Sequence, residues 1–409
     1  MAASQAGRKL RRRQLKNEKE RVVRMASALR IIAIDDGHSE TKVATFEHGT
    51  SGKIVTSSFA SRTTDGDDEM SIDGSPSPNV YALIDGDREP ATNEVVSLAV
   101  IDRGRSEWQG TDGGRSPNYA VSDRNRVLVH HALHSASDTY DERRFVIGTT
   151  LPYSEFYLPG QTGGLQNRER IEAKKANLDK KVWRFSVGDS GLQFVKSPYA
   201  VERQAVFPEG SSAFFDCMWN CGEQSAESVL NTDFARRFEM AQDFAVVDIG
   251  GKTTDVVIGS WNGRRNDAPK IRSSVSRSLD LGMLGVSGEL EQSIMREYGL
   301  RKVVDAEQAL MNGRISLYNK WEDIQPLVAK SKKRFMSSLQ QKIGHELGDL
   351  SSHAAVIFVG GGSELMRENI LESFPPGVVV IPENPRFSNA RGMLKLLRGS
   401  LKAGTKGRG

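Results

Sequence analysis

The chain has 409 residues, of which 38% are hydrophobic and 26% are charged, a composition typical of a folded globular protein. No apolar run reaches the roughly 18 residues of a membrane helix, and the N-terminus lacks a signal-peptide core, so we expect a cytoplasmic protein without a membrane contact. The two cysteines, Cys217 and Cys221, are too few for a secreted disulfide framework, and no Cys or His pair nearby completes a zinc motif.

The ends of the chain carry its net charge of +4. Residues 1–28 contain nine Lys and Arg against two Glu, and the last 17 residues contain five Lys and Arg and no acid. The 1–28 segment lacks a wide apolar stripe, which favours a solvated, flexible extension. Direct, non-specific attraction to DNA or to another acidic surface is the alternative.

The first informative stretch is 31–46, IIAIDDGHSETKVATF. It reads as an apolar strand, a polar glycine turn and a second apolar strand. Glycine lets backbone N–H groups approach an anion closely, hydroxyl and ammonium groups add donors, and a carboxylate can hold hydrated Mg²⁺ beside phosphates. The groups available for this chemistry are Asp35, Asp36, Gly37, Ser39 and Lys42. A plain hairpin with a polar turn is the alternative.

A β-rich region with long insertions follows. Residues 54–59 predict a third strand, and short strand-like runs recur between two polar loops near 61–78 and 103–118. Residues 125–136 predict a helix that carries three histidines, His130, His131 and His134. No carboxylate stands in a ligand pattern with them, which favours core or interface histidines over a metal site.

A highly charged helix is predicted over 167–182. Ile171, Leu178 and Val182 would form its apolar stripe. Four lysines, Lys174, Lys175, Lys180 and Lys181, would face away from that stripe, either into solvent or towards another subunit. A strand then ends at Phe207–Pro208–Glu209, and residues 211–237 predict a helical stretch.

The stretch 244–260, FAVVDIGGKTTDVVIGS, repeats the first plan. In register, Asp248 matches Asp35 and Gly250 matches Gly37. The turn and its hydroxyls are Gly250, Gly251, Lys252, Thr253 and Thr254. The repeat indicates two similar halves that face one nucleotide. A P-loop would require glycine where Val246 stands, and no G-x-G-x-x-G follows a strand, so neither a P-loop nor a dinucleotide fold is supported.

A third motif lies at 353–367, HAAVIFVGGGSELMR. A buried strand runs into Gly360, Gly361 and Gly362, and Ser363 would cap a helix that begins at Glu364. A strand, a triple glycine and a helix can let a base and ribose lie against backbone, although many α/β proteins use the same element as a plain turn. Helices are also predicted after the glycines of 279–298, at 303–312, over 322–348 and over 388–401.

Two acid–glycine turns followed by a late triple-glycine turn resemble the two phosphate loops and the adenosine loop of the actin, sugar-kinase and heat-shock-chaperone ATPase superfamily. Within it, the chain is similar to the ParM (StbA) family of bacterial actin-like plasmid segregation proteins. Segments in family order carry the resemblance: IDDGHSETK (34–42), VHHAL (129–133), TLPYSEFY (150–157), ERIEAKKANLDKK (169–181), FPE (207–209), VVDIGGKTTD (246–255), LGVS (284–287), VGGGSEL (359–365) and NARGM (389–393).

The resemblance implies an α/β, actin-like fold: two RNase H-like halves around a nucleotide cleft, with a smaller β-rich subdomain inserted in the first half. The expected organisation is a basic extension at 1–28, domain I at 29–240 with the insertion at about 60–125, domain II at 241–385, and a C-terminal helix at 386–409 that returns to domain I.

The resemblance also implies roles for individual residues. Glu209 would orient the attacking water, while Asp248 and Asp35, or else Asp36, would hold Mg²⁺ through water. Ser39, Lys42 and the turn from Gly250 to Thr254 would line the phosphates. The adenosine would lie against Gly360, Gly361, Gly362, Ser363 and Glu364.

The function implied by the resemblance is binding and slow hydrolysis of ATP or GTP with Mg²⁺, coupled to dynamic self-assembly into filaments. Those filaments would move plasmids through an adaptor protein bound to centromere-like plasmid DNA. Two alternatives remain from the residues alone: a non-polymerising small-molecule kinase of the same superfamily, and a nucleotide-gated scaffold.

Overall fold

The computed structural model describes residues 29–47, 52–65, 79–83, 96–101, 118–139, 144–158, 164–188, 191–197, 199–221, 228–303, 305–348 and 350–406. The predicted basic extension at 1–28 and most of the two polar loops lie outside these residues. Within them, no helix is long and apolar enough to cross a membrane.

The strands are β1 (Leu29–Asp36), β2 (Glu40–Phe46), β3 (Ile54–Ala60), β4 (Thr63–Asp65), β5 (Val80–Leu83), β6 (Val96–Val100), β7 (Arg144–Leu151), β8 (Val182–Gly188), β9 (Gly191–Lys196), β10 (Ala200–Pro208), β11 (Trp219–Cys221), β12 (Ser228–Leu230), β13 (Asp243–Ile249), β14 (Thr254–Ser260), β15 (Lys270–Ile271), β16 (Arg277–Leu279), β17 (Arg314–Leu317), β18 (Lys320–Asp323), β19 (His353–Val359) and β20 (Val379–Val380). The helices are α1 (Asp123–Thr139), α2 (Tyr153–Phe156), α3 (Arg168–Asp179), α4 (Ser211–Met218), α5 (Thr232–Arg236), α6 (Met283–Tyr298), α7 (Ala306–Asn312), α8 (Gln325–Leu347), α9 (Gly360–Leu365), α10 (Arg367–Ser373) and α11 (Ser388–Lys406).

Two sheets share one topology. The first has the order β10-β7-β1-β2-β3, and the second runs β20-β19-β13-β14-β15, with β16 also on β14. In each sheet the leading hairpin, β1–β2 or β13–β14, is antiparallel, and the strands on its other side are parallel to the first. The two halves therefore have the same plan, and the fold class is α/β and actin-like.

The two hairpins have the same strand-pairing register. Asp35 pairs with Lys42 across β1 and β2, and Asp248 pairs with Asp255 across β13 and β14. The spacing from acid to partner is the same, so the register inferred from the sequence repeat holds in three dimensions. The central strands are apolar runs with no exposed side chain, and such runs are typical of sheets covered on both faces.

A third, antiparallel sheet has the order β4-β6-β5-β8-β9. It contains the β-rich insertion expected between residues 60 and 125, and two strands from 182–196 join it. The sequence placed Val182 at the end of the charged helix, and that assignment is wrong. The helix ends at Asp179, where Lys180 takes up an extended backbone, and the buried Val182 then begins strand β8.

The prediction of a helical stretch over 211–237 is only partly right. Helix α4 ends at Met218, the antiparallel pair β11–β12 follows, and α5 resumes at Thr232. Asn231 explains the restart, because its side-chain oxygen accepts a hydrogen bond from Phe234 N and so caps a new helix. The β17–β18 hairpin was not predicted at all.

Helix α11 returns from the second half to the first. Its residues Ala390, Met393 and Leu394 lie in one apolar cluster with Ala33 and Ala44 of the first sheet. The helix begins beside the second half and packs along the first, so it spans the junction between them.

Candidate functional site

The two halves enclose a cavity of about 340 Å³. The sequence-predicted residues on its wall are Asp35, Gly37, Ser39, Lys42, Glu209, Asp248, Gly250, Gly251, Lys252, Thr253, Gly360, Gly361, Gly362 and Glu364. Residues from all three sequence motifs therefore meet at one place, although they are more than 300 positions apart at the extremes.

The two acid–glycine turns approach each other across the cavity. A Cβ atom added to Gly251 would lie 2.6 Å from Ser39 Cβ, so only glycine allows the turns to come this close. Behind the first turn, Lys42 Nζ donates to Asp35 Oδ2 at 3.2 Å. Burial alone would lower the pKa of Lys42, but Asp35, Glu40 and Asp248 outweigh it and leave the pKa raised, so this ammonium group stays charged.

Carboxyl groups crowd the opposite side. Burial, together with the negative charges of Asp35 and Asp255, raises the pKa of Asp248 to about 7. Burial and the charges of Asp255, Asp35 and Asp248 raise the pKa of Glu209 well above its usual value. Glu209 also shares a hydrogen bond with Asp255, which requires a proton between two carboxylates. The carboxyl groups outnumber the neighbouring cation, Lys42, and a divalent cation would relieve the remaining repulsion between them.

The donor set suits Mg²⁺ held through water. Asp35 and Asp248 stand on the cavity wall at the ends of equivalent strands, and hard carboxylate oxygens beside phosphate are the ligands that Mg²⁺ uses. Among the described residues, no three His, Cys, Asp or Glu side chains converge closely enough to ligate a metal ion directly. The residues present thus fit a hydrated ion with few protein ligands.

The cavity wall also has an apolar part. It includes the triple-glycine backbone and the side chains Met283, Leu284, Leu310, Met311 and Leu365. Gly360 has φ of +86°, and a Cβ atom there would lie 2.4 Å from Asp248 Oδ1, so the first glycine is required where α9 meets β13. A flat, largely apolar ring fits against these apolar side chains, and a charged tail fits against the acid–glycine turns.

The structure does not bring Asp36, Thr254 or Ser363 to the cavity wall. Thr254 Oγ1 donates to Leu281 O at 2.6 Å, and Ser363 Oγ donates to Val359 O at 2.5 Å. The predicted Ser363 cap is wrong because the helix begins at Gly360, three residues earlier, so Ser363 lies inside it. Asp36 alternates with Asp35 along β1 and faces the protein interior instead.

Asp36 is the acid of a buried ion pair. Lys174 Nζ lies 2.5 Å from Asp36 Oδ2, and both side chains are 1% exposed. Asn125 donates to the same oxygen at 2.5 Å, and Thr150 N donates to the other at 3.1 Å. The prediction that Lys174 faces solvent or another subunit is therefore wrong: a buried carboxylate holds this lysine on the interior side of its helix.

Sequence reasoning also missed cavity residues. Asn389 donates to Asp248 from the start of α11, and Arg386 contacts both Glu40 and Glu364. Glu307 accepts a hydrogen bond from Ser39 Oγ at 3.3 Å and pairs with Arg62 at 3.2 Å across the cleft. The NARGM segment in the family resemblance was the available signal for Asn389, while nothing local pointed to Glu307 or Arg386.

The histidines of α1 are core residues. His130 is buried and its Nδ1 lies 2.5 Å from Tyr199 Oη, while His131 Nδ1 lies 2.7 Å from Tyr81 Oη. Burial lowers the pKa of His130 to about 4. Both contacts are with aromatic hydroxyls, which is typical of histidines that pack in a protein core, and the lowered pKa of His130 keeps that side chain neutral.

Two protein-family models match the chain. The model of the N-terminal domain of the plasmid segregation protein ParM matches residues 29–218, and the C-terminal model of the archaeal, MreB-like actin homologue matches residues 246–372. No curated protein sequence matches the chain.

Solved structures share the fold at low identity. A 15-stranded ParM filament from Clostridium botulinum is 19% identical, with a TM-score of 0.65 over 90% of this chain and 98% of that one. An archaeal actin homologue in complex with ADP is 18% identical, with a TM-score of 0.60 over 90% and 99%. Bacillus thuringiensis ParM with ATP is 12% identical, with a TM-score of 0.58 over 91% and 100%.

Two sheets of one topology and the cavity between their turns define an actin-like protein. The two family models cover most of the chain between residues 29 and 372, and the first of them is specific to ParM. The chain is a ParM-like member of the actin family.

Proposed function

We propose that the chain binds ATP or GTP with Mg²⁺ in the cleft, hydrolyses it, and assembles into filaments in its nucleotide-bound form. The observation that carries this proposal is the meeting of both acid–glycine turns with Glu209, Asp35 and Asp248 around one cavity. The match to the ParM model and the similarity to a filament-forming ParM support the filament. The filament would move plasmid DNA through an adaptor bound to a centromere-like site.

The proposed chemistry divides between the two sides of the cavity. Backbone N–H groups of the turns and the Lys42 ammonium bind phosphate oxygens, and the apolar part of the wall holds the base. Asp35 and Asp248 would hold a hydrated Mg²⁺ ion, which would supply positive charge beside the phosphates. Glu209 accepts a proton from the attacking water at its carboxylate when the proton shared with Asp255 resides on Asp255, and its raised pKa makes it a stronger proton acceptor than an ordinary glutamate.

We also propose that the chain is divided into two domains. Domain I would comprise 29–240, domain II 241–385, and the C-terminal helix would return to domain I. The position of α11 beside Ala33 and Ala44 supports that return.

Assembly is tested by light scattering after addition of Mg-ATP or Mg-GTP to the purified chain, with electron microscopy of the same sample. We expect scattering to rise above a critical concentration, then to fall as nucleotide is consumed, because hydrolysis weakens the assembled state. A flat trace with both nucleotides over a broad range of protein concentration contradicts the filament proposal. Hydrolysis that requires an added small-molecule acceptor supports the kinase alternative, and assembly without turnover supports the scaffold.

Nucleotide binding is tested by Gly251→Ala. The new Cβ atom meets Ser39 Cβ at 2.6 Å and pushes the two phosphate turns apart. A displacement of this kind weakens binding by roughly 10- to 100-fold, which titration with a fluorescent nucleotide analogue measures. Gly285→Ala in α6 is the matched control, because a Cβ atom there meets nothing within 4 Å. Equal affinities for the two variants would place the phosphates elsewhere.

A further inference from the structure

Asn389 links the Asp248 carboxylate to the backbone directly after Glu209. Its side chain is buried at the start of α11, where Nδ2 donates to Asp248 Oδ2 at 2.5 Å. Its Oδ1 accepts a hydrogen bond from Gly210 N at 3.1 Å, and Gly210 directly follows Glu209. A carboxylate only accepts and a backbone N–H only donates, so these two partners fix which way the amide points.

Helix α11 is held rigidly against α4, the helix that begins after Glu209 and Gly210. Lys395 Nζ and Arg391 Nη2 lie 2.7 Å and 2.6 Å from the carboxylate oxygens of the buried Asp216 in α4. A Cβ atom at Gly392 would lie 1.8 Å from Ser212 O, so the two helix backbones touch. Asn389 is therefore carried by a helix that packs directly against the helix that follows Glu209.

Gly210 also touches the second half directly. Its φ is +71°, and a Cβ atom there would lie 2.9 Å from Val257 Cγ2 in β14. The turn that carries Glu209 thus rests against the same hairpin that carries Asp248. The Asn389 amide adds a polar link at this point of contact, beside the hydrogen bond between Glu209 and Asp255.

We propose that Asn389 is a positioning residue that holds Glu209 and Asp248 at a fixed separation. At that separation, Glu209, which activates the water, and Asp248, which would hold the metal ion, act on the same phosphate group. This inference rests on the proposed function. The Asn389 amide acts through Asp248 and through the backbone beside Glu209, so its loss changes the rate of hydrolysis more than the affinity for nucleotide.

The experiment compares native protein, Asn389→Ala and Ser400→Ala. Ser400 lies farther along the same helix and its Oγ donates only to Leu397 O within the helix, at 2.8 Å, so it serves as the control. Nucleotide affinity is measured with a fluorescent ATP or GTP analogue, single-turnover hydrolysis by release of phosphate, and assembly by light scattering with a non-hydrolysable analogue.

For Asn389→Ala we expect hydrolysis to fall about 10- to 100-fold, affinity to stay within about threefold of native, and assembly with the non-hydrolysable analogue to persist. Native rates in the variant, or a loss confined to nucleotide affinity, would overturn the positioning role. Should Asn389→Ala not fold, Asn389→Asp provides a second measurement, because it keeps the acceptor for Gly210 N and replaces the donor to Asp248 with a repelling carboxylate. It should lose hydrolysis at least as severely, and native hydrolysis in this variant likewise overturns the proposal.

Hydrolysis by the native protein shows whether a failure concerns Asn389 alone or the proposed function as a whole. Native hydrolysis with an unaffected Asn389→Ala variant rejects the positioning role alone. An absence of hydrolysis by native protein with both nucleotides rejects the proposed function, and the role of Asn389 with it.

Discussion

Replacing Glu209 by Gln is expected to slow nucleotide hydrolysis by about 100- to 10,000-fold, because that range is typical for the loss of a positioned proton acceptor. Glutamine has the same shape and can still reach Asp255, but it cannot take a proton from water. Glu209 lines the cavity among three other carboxylates that raise its pKa, so its removal also relieves repulsion and should not weaken nucleotide binding. Single-turnover phosphate release measures the rate.

The matched control is Glu202→Gln on the same strand, β10. Glu202 is exposed and pairs with Arg144 at 2.8 Å, away from the cavity, so its variant should hydrolyse nucleotide at the native rate. Assembly driven by nucleotide should persist in both variants, and filaments of Glu209→Gln should last longer. Native turnover by Glu209→Gln would mean that another group activates the water.

Replacing Lys174 by Met is expected to lower the free energy of unfolding by about 3–5 kcal/mol, because it leaves the carboxylate of Asp36 buried without its partner. Chemical denaturation followed by circular dichroism measures the change. Lys175→Met on the same helix is the control: Lys175 pairs with the exposed Glu172 at 2.9 Å, and such surface pairs contribute about 0–1 kcal/mol. Equal losses in the two variants would contradict a special role for the buried pair.

A second substitution separates the effect of the unpaired charge from the effect of altered packing. Adding Asp36→Asn to Lys174→Met removes the unpaired charge and should recover much of the lost stability. Asn125 can accommodate the new amide, because its Oδ1 is buried without a hydrogen-bond partner among the described residues. If the double variant is less stable than Lys174→Met, the loss comes from packing and not from the stranded charge.

The same pair gives a pH dependence of definite sign. Burial raises the pKa of Asp36, but Lys174 and the hydrogen bonds from Asn125 and Thr150 outweigh burial and leave the pKa lowered. A lowered folded-state pKa means that the pair stabilises the protein above the ordinary aspartate pKa of about 3.9 and loses this effect as pH falls through the lowered value. The native protein should therefore lose more stability on acidification than the double variant.

The sequence predicted the parts of the site whose chemistry is local. Each acid–glycine turn is a continuous stretch of sequence. Its strand–turn–strand pattern was enough to predict that Asp35, Asp248 and the glycines lie at the turns. The repeat supplied the register, which the pairing of β1–β2 and β13–β14 confirms. The resemblance of the three motifs to a known family implied the fold class.

The contacts that the sequence did not predict join residues far apart along the chain. Asn389 meets Asp248 across 141 positions, and Lys174 meets Asp36 across 138, and no periodicity within one segment encodes such a partner. Lys174 was misplaced for a physical reason: a lysine on a charged helix is usually solvated, and only the buried Asp36 reverses that preference. Ser363 was misplaced because glycines were read as a turn, although in this context they begin the helix.

A difference between the two equivalent hairpins also makes the two sides of the cleft unlike each other. Two hairpins with equal side chains would give the cleft a two-fold axis, and a ligand could enter in either sense. Lys42 and Asp255 occupy equivalent positions opposite Asp35 and Asp248, and they carry opposite charge. At these equivalent positions the first half therefore has a cation and the second half has a carboxyl group. The broken symmetry turns a duplicated fold into a polar binding site with a single productive orientation.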